Sequence, residues 1–130
     1  MMVTADYAAA EPPLNKLNVL GVFNRIVSSE FPLLYRRMYL AVNFEGEISD
    51  SAGPYDVSIS IAGEDGQVLI AIEGQLDMPD SSPGVAPQHC IVAELNQLVF
   101  PVPGDYRIYV SVSDVELDES TVLRVVQAVS

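Results

Sequence analysis

The sequence predicts an all-β fold, an antiparallel β-sandwich over a single domain spanning residues 1–130, and three observations carry that prediction. Apolar residues recur with a period of two, which lets a strand bury one face and wet the other. Turn-forming residues separate these runs at close intervals, and nine prolines and eight glycines are spread along the chain. Apolar residues occupy 49% of the 130 positions, enough for one genuine core, whereas two independent cores would be hard to fill.

Taken in order, the strands are expected at 2–9, 17–24, 37–45, 55–63, 67–75, 90–100, 105–113 and 120–129. Met38, Leu40, Val42 and Phe44 alternate with Tyr39, Ala41, Asn43 and Glu45. Val57, Ile59 and Ile61 alternate with Asp56, Ser58 and Ser60, and Tyr106, Ile108, Val110 and Val112 with Arg107, Tyr109, Ser111 and Ser113. On a helix these positions would scatter apolar side chains around the whole circumference. Glu64-Asp65-Gly66 reads as a hairpin turn with glycine at a positive φ. Pro101-Val102-Pro103-Gly104 forms a corner before the seventh strand, and Asp114–Ser120 divides the last two. The segment 77–88, with prolines at 79, 83 and 87, is expected to be the longest and most mobile loop, and 46–54 a second loop.

Strand 17–24 stands apart. Leu17, Val19, Gly21 and Phe23 share one face, while Leu20 and Val22 lie on the other beside Asn18 and Asn24. A strand apolar on both faces is either central and covered twice or part of an interface. Gly21 in its middle predicts a bulge or the close approach of another backbone.

Tyr106 opens its strand just after the proline-rich corner. Immunoglobulin-like sandwiches place a tyrosine there whose hydroxyl bonds back to upstream backbone, with Ile108 here in the inward slot that a cysteine fills in antibody domains. The architecture expected is therefore an immunoglobulin-like antiparallel β-sandwich with an N-terminal β-hairpin. The opening Ala5-Asp6-Tyr7-Ala8, then Leu17-Asn18-Val19-Leu20-Gly21-Val22-Phe23-Asn24-Arg25-Ile26 and Phe31-Pro32, with Phe100-Pro101-Val102-Pro103-Gly104-Asp105-Tyr106 near the end, resembles an uncharacterised bacterial domain family of unknown function. The resemblance covers nearly the whole chain. It implies a small cytoplasmic β-sandwich and brings no activity or catalytic residues with it.

The net charge of −12 disfavours contact with phosphate backbones and with anionic membrane surfaces, so neither nucleic acid nor membrane is expected as a partner. A single cysteine, Cys90, rules out an intrachain disulfide and suits a reducing compartment. The N-terminus lacks a signal-peptide pattern and no window reaches the ~18–20 uninterrupted apolar residues of a membrane helix, so a cytoplasmic location is expected.

Chemistry-bearing patterns are sparse. His89 and Cys90 are adjacent, and in one strand they would point to opposite faces, which precludes a thiolate–imidazole pair. A serine triad would have to use His89, and no Gly-x-Ser-x-Gly elbow is present. One histidine and one cysteine cannot build a zinc site without several carboxylates. Calcium is the strongest chemical option, with candidate ligands Asp114, Glu116, Asp118 and Glu119 in one loop, Asp77 and Asp80 in another, and Glu45, Glu47 and Asp50 in a third. Their spacing matches no EF-hand or repeat-type calcium pattern, and solvation explains them more simply. No phosphate-cradling glycine loop occurs, and no acid pair has the aromatic platforms of a glycosidase. Arg25, Arg36 and Arg37 form the local basic cluster, with Glu30, Tyr35 and Tyr39 nearby; pairing with the acidic surface is favoured over docking an acidic partner.

The expectation is thus a non-catalytic interaction or accessory domain without catalytic, cofactor-binding or metal-binding residues. Its partner would be another protein or, through strand 17–24 and the aromatic set Phe23, Phe31, Tyr35 and Tyr39, a second copy of the chain. The alternative is a sandwich that binds calcium or a small ligand through its acidic loops.

Overall fold

The computed structural model describes residues 1–11, 16–45, 54–77, 88–112, 115–116 and 120–128. Ten strands run β1 Met2–Glu11, β2 Lys16–Phe23, β3 Arg25–Ser28, β4 Leu33–Glu45, β5 Pro54–Ala62, β6 Val68–Asp77, β7 Gln88–Phe100, β8 Gly104–Val112, β9 Val115–Glu116 and β10 Thr121–Gln127. All described regular structure is β. The strands form two sheets, ordered β2-β1-β4-β7 and β3-β10-β8-β5-β6, with the two-residue β9 paired to β8 off the second path. Pairing is antiparallel except between β3 and β10.

Period two explains the core. Met38, Leu40, Val42, Ile91 and Leu95 from the first sheet meet Ile59, Ile61, Ile108, Val110, Leu123 and Val125 from the second in one buried cluster. At ~25 cal/mol per Å² of apolar surface buried, this inter-sheet layer is the main stabilising term of such a fold. Ile108 is fully buried and lies opposite Ile61, the inward position expected for it. The β1–β2 hairpin is present at the N-terminus, in the register Thr4↔Phe23 through Glu11↔Lys16.

Among the described residues there are ten strands rather than the eight expected, most shared boundaries shift by a residue or two, and the larger differences have identifiable reasons. β4 begins at Leu33 rather than 37 because its inward phase changes there. Leu33 and Tyr35 pack on the core on one side of the change, Met38, Leu40 and Val42 on the other. β7 changes phase opposite it, with Leu95 and Leu98 both buried and Gln97 at φ +57°. Both strands turn together, so Tyr35↔Leu98 and Arg37↔Asn96 keep one register. β3 is too short for a period to show, and only Asn24 separates it from β2 although the two belong to different sheets. β9 interrupts the expected 114–120 divider.

The turns follow their sequence. Gly66 has φ +82°, its N–H donates to the Gly63 carbonyl at 3.0 Å, and the Gln67 N–H donates to Asp65 Oδ1 at 2.9 Å. Most of the segments 46–54 and 77–88 lies outside the described residues, so the expectations placed on those loops do too.

Candidate functional site

Strand register defines the outer face of the first sheet. Across the β1–β2 ladder Tyr7 stands opposite Leu20 and Ala5 opposite Val22. Across β1–β4, Val3 meets Ala41 and Ala5 meets Tyr39, and across β4–β7, Ala41 meets Val92 and Tyr39 meets Glu94. Directly opposed residues share a face, so these side chains form one surface. Leu20 is 65% exposed, Val22 60% and Tyr7 47%, whereas Ala5 and Ala41 between them are fully covered. The small alanines make a floor and the larger side chains stand over it. Tyr7 and Tyr39 meet edge to face, with centroids 5.4 Å apart. Leu34 and Val99, opposite one another on β4 and β7, add a second exposed apolar pair.

This face is nearly without charge. Arg37 reaches Glu94 at 3.9 Å, both side chains well exposed, a contact worth little but locally neutral. Among the described residues β2 is the edge of the sheet, with β1 as its neighbour in the strand order. The two-faced apolar strand is therefore not a central one; its inner residue Phe23 packs on the core and its outer residues Leu20 and Val22 face outward.

Gly21 has φ +70°, but the register is the same on both sides of it, Tyr7↔Leu20 and Ala5↔Val22, so no extra residue is inserted as in a bulge. What approaches Gly21 is a side chain: a Cβ at this position would collide with the Asp6 carboxylate. Partial burial, and secondarily the charge of Asp6, raises the pKa of Tyr35. The aromatic set expected to form a surface is divided. Phe23 and Tyr35, 5.9 Å apart, pack with Phe31 against the core, and Tyr39 belongs to the outer face with Tyr7. Tyr7 escaped the sequence reading because its partners Leu20 and Tyr39 are brought to it by the ladder alone.

A cavity of about 300 Å³ lies at one end of the sandwich, between the β5–β6 turn and the β7–β8 corner, lined by Glu64, Asp65, Asp105 and Tyr106 among others. Its carboxylates already serve the fold. Glu64 Oε1 accepts from the Asp105 N–H at 3.0 Å, Asp65 holds the turn, and Asp105 pairs with Arg124 at 3.1 Å. Tyr106 donates its hydroxyl to the Val102 carbonyl four residues upstream at 2.5 Å, the back-bond expected of it. Glu64 and Asp65 are the turn residues their sequence suggests.

The remaining candidates disperse. His89 and Cys90 both lie in β7, the placement on which the case against a thiolate–imidazole pair rested, and Cys90 is a half-buried thiol whose pKa burial raises. Arg25 sits in the second sheet beside Arg124, while Arg36 and Arg37 sit in the first, so they do not form one sheet patch. Asp80, Glu47, Asp50, Asp114, Asp118 and Glu119 lie outside the described residues, as do the side chains of Asp77, Glu45 and Glu116. Among the described residues no group of three or more His, Cys, Asp or Glu is placed to hold a metal ion. No described helix is long and apolar enough to cross a membrane.

Against known proteins, residues 1–126 match the model of a family described as a family of unknown function, DUF6941. No curated protein matches the chain in sequence. Among solved structures, the chain is similar to part of the Pseudomonas fluorescens alkylpurine DNA glycosylase AlkC bound to DNA containing an abasic site analog. That similarity has 15% identity and a TM-score of 0.46, covering 96% of this chain and 30% of that one.

Proposed function

The chain belongs to DUF6941, a family of unknown function, and from its surface we propose that it is a non-catalytic docking domain that receives a protein partner at the β2 edge and outer face of its four-stranded sheet. The observation that carries this reading is the exposure of Leu20, Val22 and Tyr7 side by side on neighbouring strands, with β2 at the sheet edge. Solvent-facing edges in soluble domains ordinarily carry charge, proline or a bulge, and apolar patches left open mark contact sites. The strand order is read further as immunoglobulin-like. In support, Tyr106 bonds back to Val102 at the start of β8, and the N-terminal region passes from the first sheet to a parallel pairing with the last strand.

The test is capture of partners from the native host by three forms of the protein. Wild type and Val27→Lys, altered at an exposed position of the second sheet, are expected to retain the same partners, and Leu20→Lys to lose them. Equal capture by Leu20→Lys would overturn the reading.

A further inference from the structure

Among the described residues, four strands close the two sheets: β2 and β7 in the first, β3 and β6 in the second. Three of them carry the features that discourage edge pairing. β7 has Glu94 and the positive-φ Gln97, β3 spans four residues and opens on Arg25, and β6 contains Glu73 and Asp77. β2 also opens on a charged residue, Lys16, but it is longer than β3, and from Leu17 to Phe23 it has neither charge nor proline. Its one irregularity is Gly21, and the β1 ladder already continues across that residue in register.

We infer that the occupant of this edge is a second copy of the chain, added by antiparallel β2–β2 pairing about a two-fold axis, so that two four-stranded sheets become one continuous sheet. This rests on the docking role proposed above and names its partner. Charge selects the partner. At a net charge of −12, two copies repel one another over most of their surface. They can approach where the surface is neutral, and β2 with the outer face beside it is neutral: Val3, Ala5, Tyr7, Leu20, Val22 and Tyr39 carry no charge, and Arg37 and Glu94 offset one another. A basic segment drawn by the overall field would find a single carboxylate among those outer-face side chains, Glu94, and Arg37 already stands against it. An uncharged apolar strand is complementary to itself.

Register follows from the pleat. Opposed residues in an antiparallel pair point to the same side, so a two-fold pairing in which residue numbers sum to an even value puts Leu20 and Val22 of both copies on one outer face. An odd sum would turn the second sheet over and separate them. The even registers merge the two exposed patches, and main-chain hydrogen bonds supply the rest of the contact, as in strand addition generally.

The experiment is sedimentation velocity of the full chain across a wide concentration range, at low and at high salt. Wild type is expected to shift from monomer toward twice its 14.1 kDa mass as concentration rises. Added salt, by screening the like charges, should move that transition to lower concentration. Leu20→Lys, altered at an exposed position, is expected to stay monomeric throughout with an unchanged β-type circular dichroism spectrum. A wild type that is monomeric at every concentration and salt overturns self-pairing, as does a dimer that persists in Leu20→Lys. If the wild type stays monomeric while host partners are captured in a Leu20-dependent way, self-pairing falls and the docking role stands. If Leu20→Lys alters neither assembly nor capture, both fall.

Discussion

At the scale of single residues, Tyr106 does the most identifiable work. Its ring lies 4.9 Å from that of Phe100 and its hydroxyl ties the start of β8 to Val102. The bond needs the proton, since a carbonyl only accepts. Removing the hydroxyl in Tyr106→Phe leaves that carbonyl without its donor and is expected to cost about 1–3 kcal/mol in a urea titration at neutral pH. Burial raises the pKa of Tyr106, with the charges of Asp65 and Glu64 adding to it, and burial and Asp6 raise that of Tyr35. A phenol whose folded pKa exceeds its unfolded one contributes stability that is complete below the unfolded value of about 10 and is lost as pH rises through the folded value. Thermal midpoints should therefore hold to about pH 10 and then fall. Tyr35→Phe/Tyr106→Phe should show a shallower alkaline decline, and an equal decline would assign the effect to other groups.

At the scale of elements, the shared turn of β4 and β7 shapes the first sheet. Gln97 is the described non-glycine residue with positive φ, a conformation that a β-branched side chain resists more strongly. Gln97→Val is expected to destabilise the protein by about 1–3 kcal/mol, and Gln97→Gly to be neutral or stabilising by up to about 1 kcal/mol. Chemical denaturation of both variants decides it; a well-tolerated valine would mean that the turn is not enforced by that residue. The same turn explains why β4 was legible only from residue 37. The alternation before it runs in the opposite phase, and a period-two pattern that changes phase looks like a strand boundary when only sequence is available.

For the whole molecule, charge and apolar surface are separated in space. Six basic and eighteen acidic residues leave a compact chain under self-repulsion, so the thermal midpoint of a form kept monomeric, such as Leu20→Lys, should rise between low and moderate ionic strength. No rise would show that the acidic groups are already far enough apart, or sufficiently paired, to be indifferent to screening. The neutral face of the first sheet is where such a molecule can meet another without that penalty, and both the docking role and the self-pairing proposed for β2 draw on this separation.

The class of structure and much of its detail were legible in the residues. Alternation specified strands, the glycine, proline and acidic turns punctuated them, and Tyr106 with its upstream corner was readable because each depends on residues close in the chain. The apolar character of both faces of 17–24 was equally plain. Which strand lies beside which came from the folded arrangement alone. That placed β2 at an edge rather than at the centre, set Tyr7 against Leu20 and Tyr39, and drew Phe23, Phe31 and Tyr35 inward toward the core. The physical reason is that a side-chain period reports which face a residue takes, whereas neighbours across a ladder are set by hydrogen bonds between segments distant in sequence.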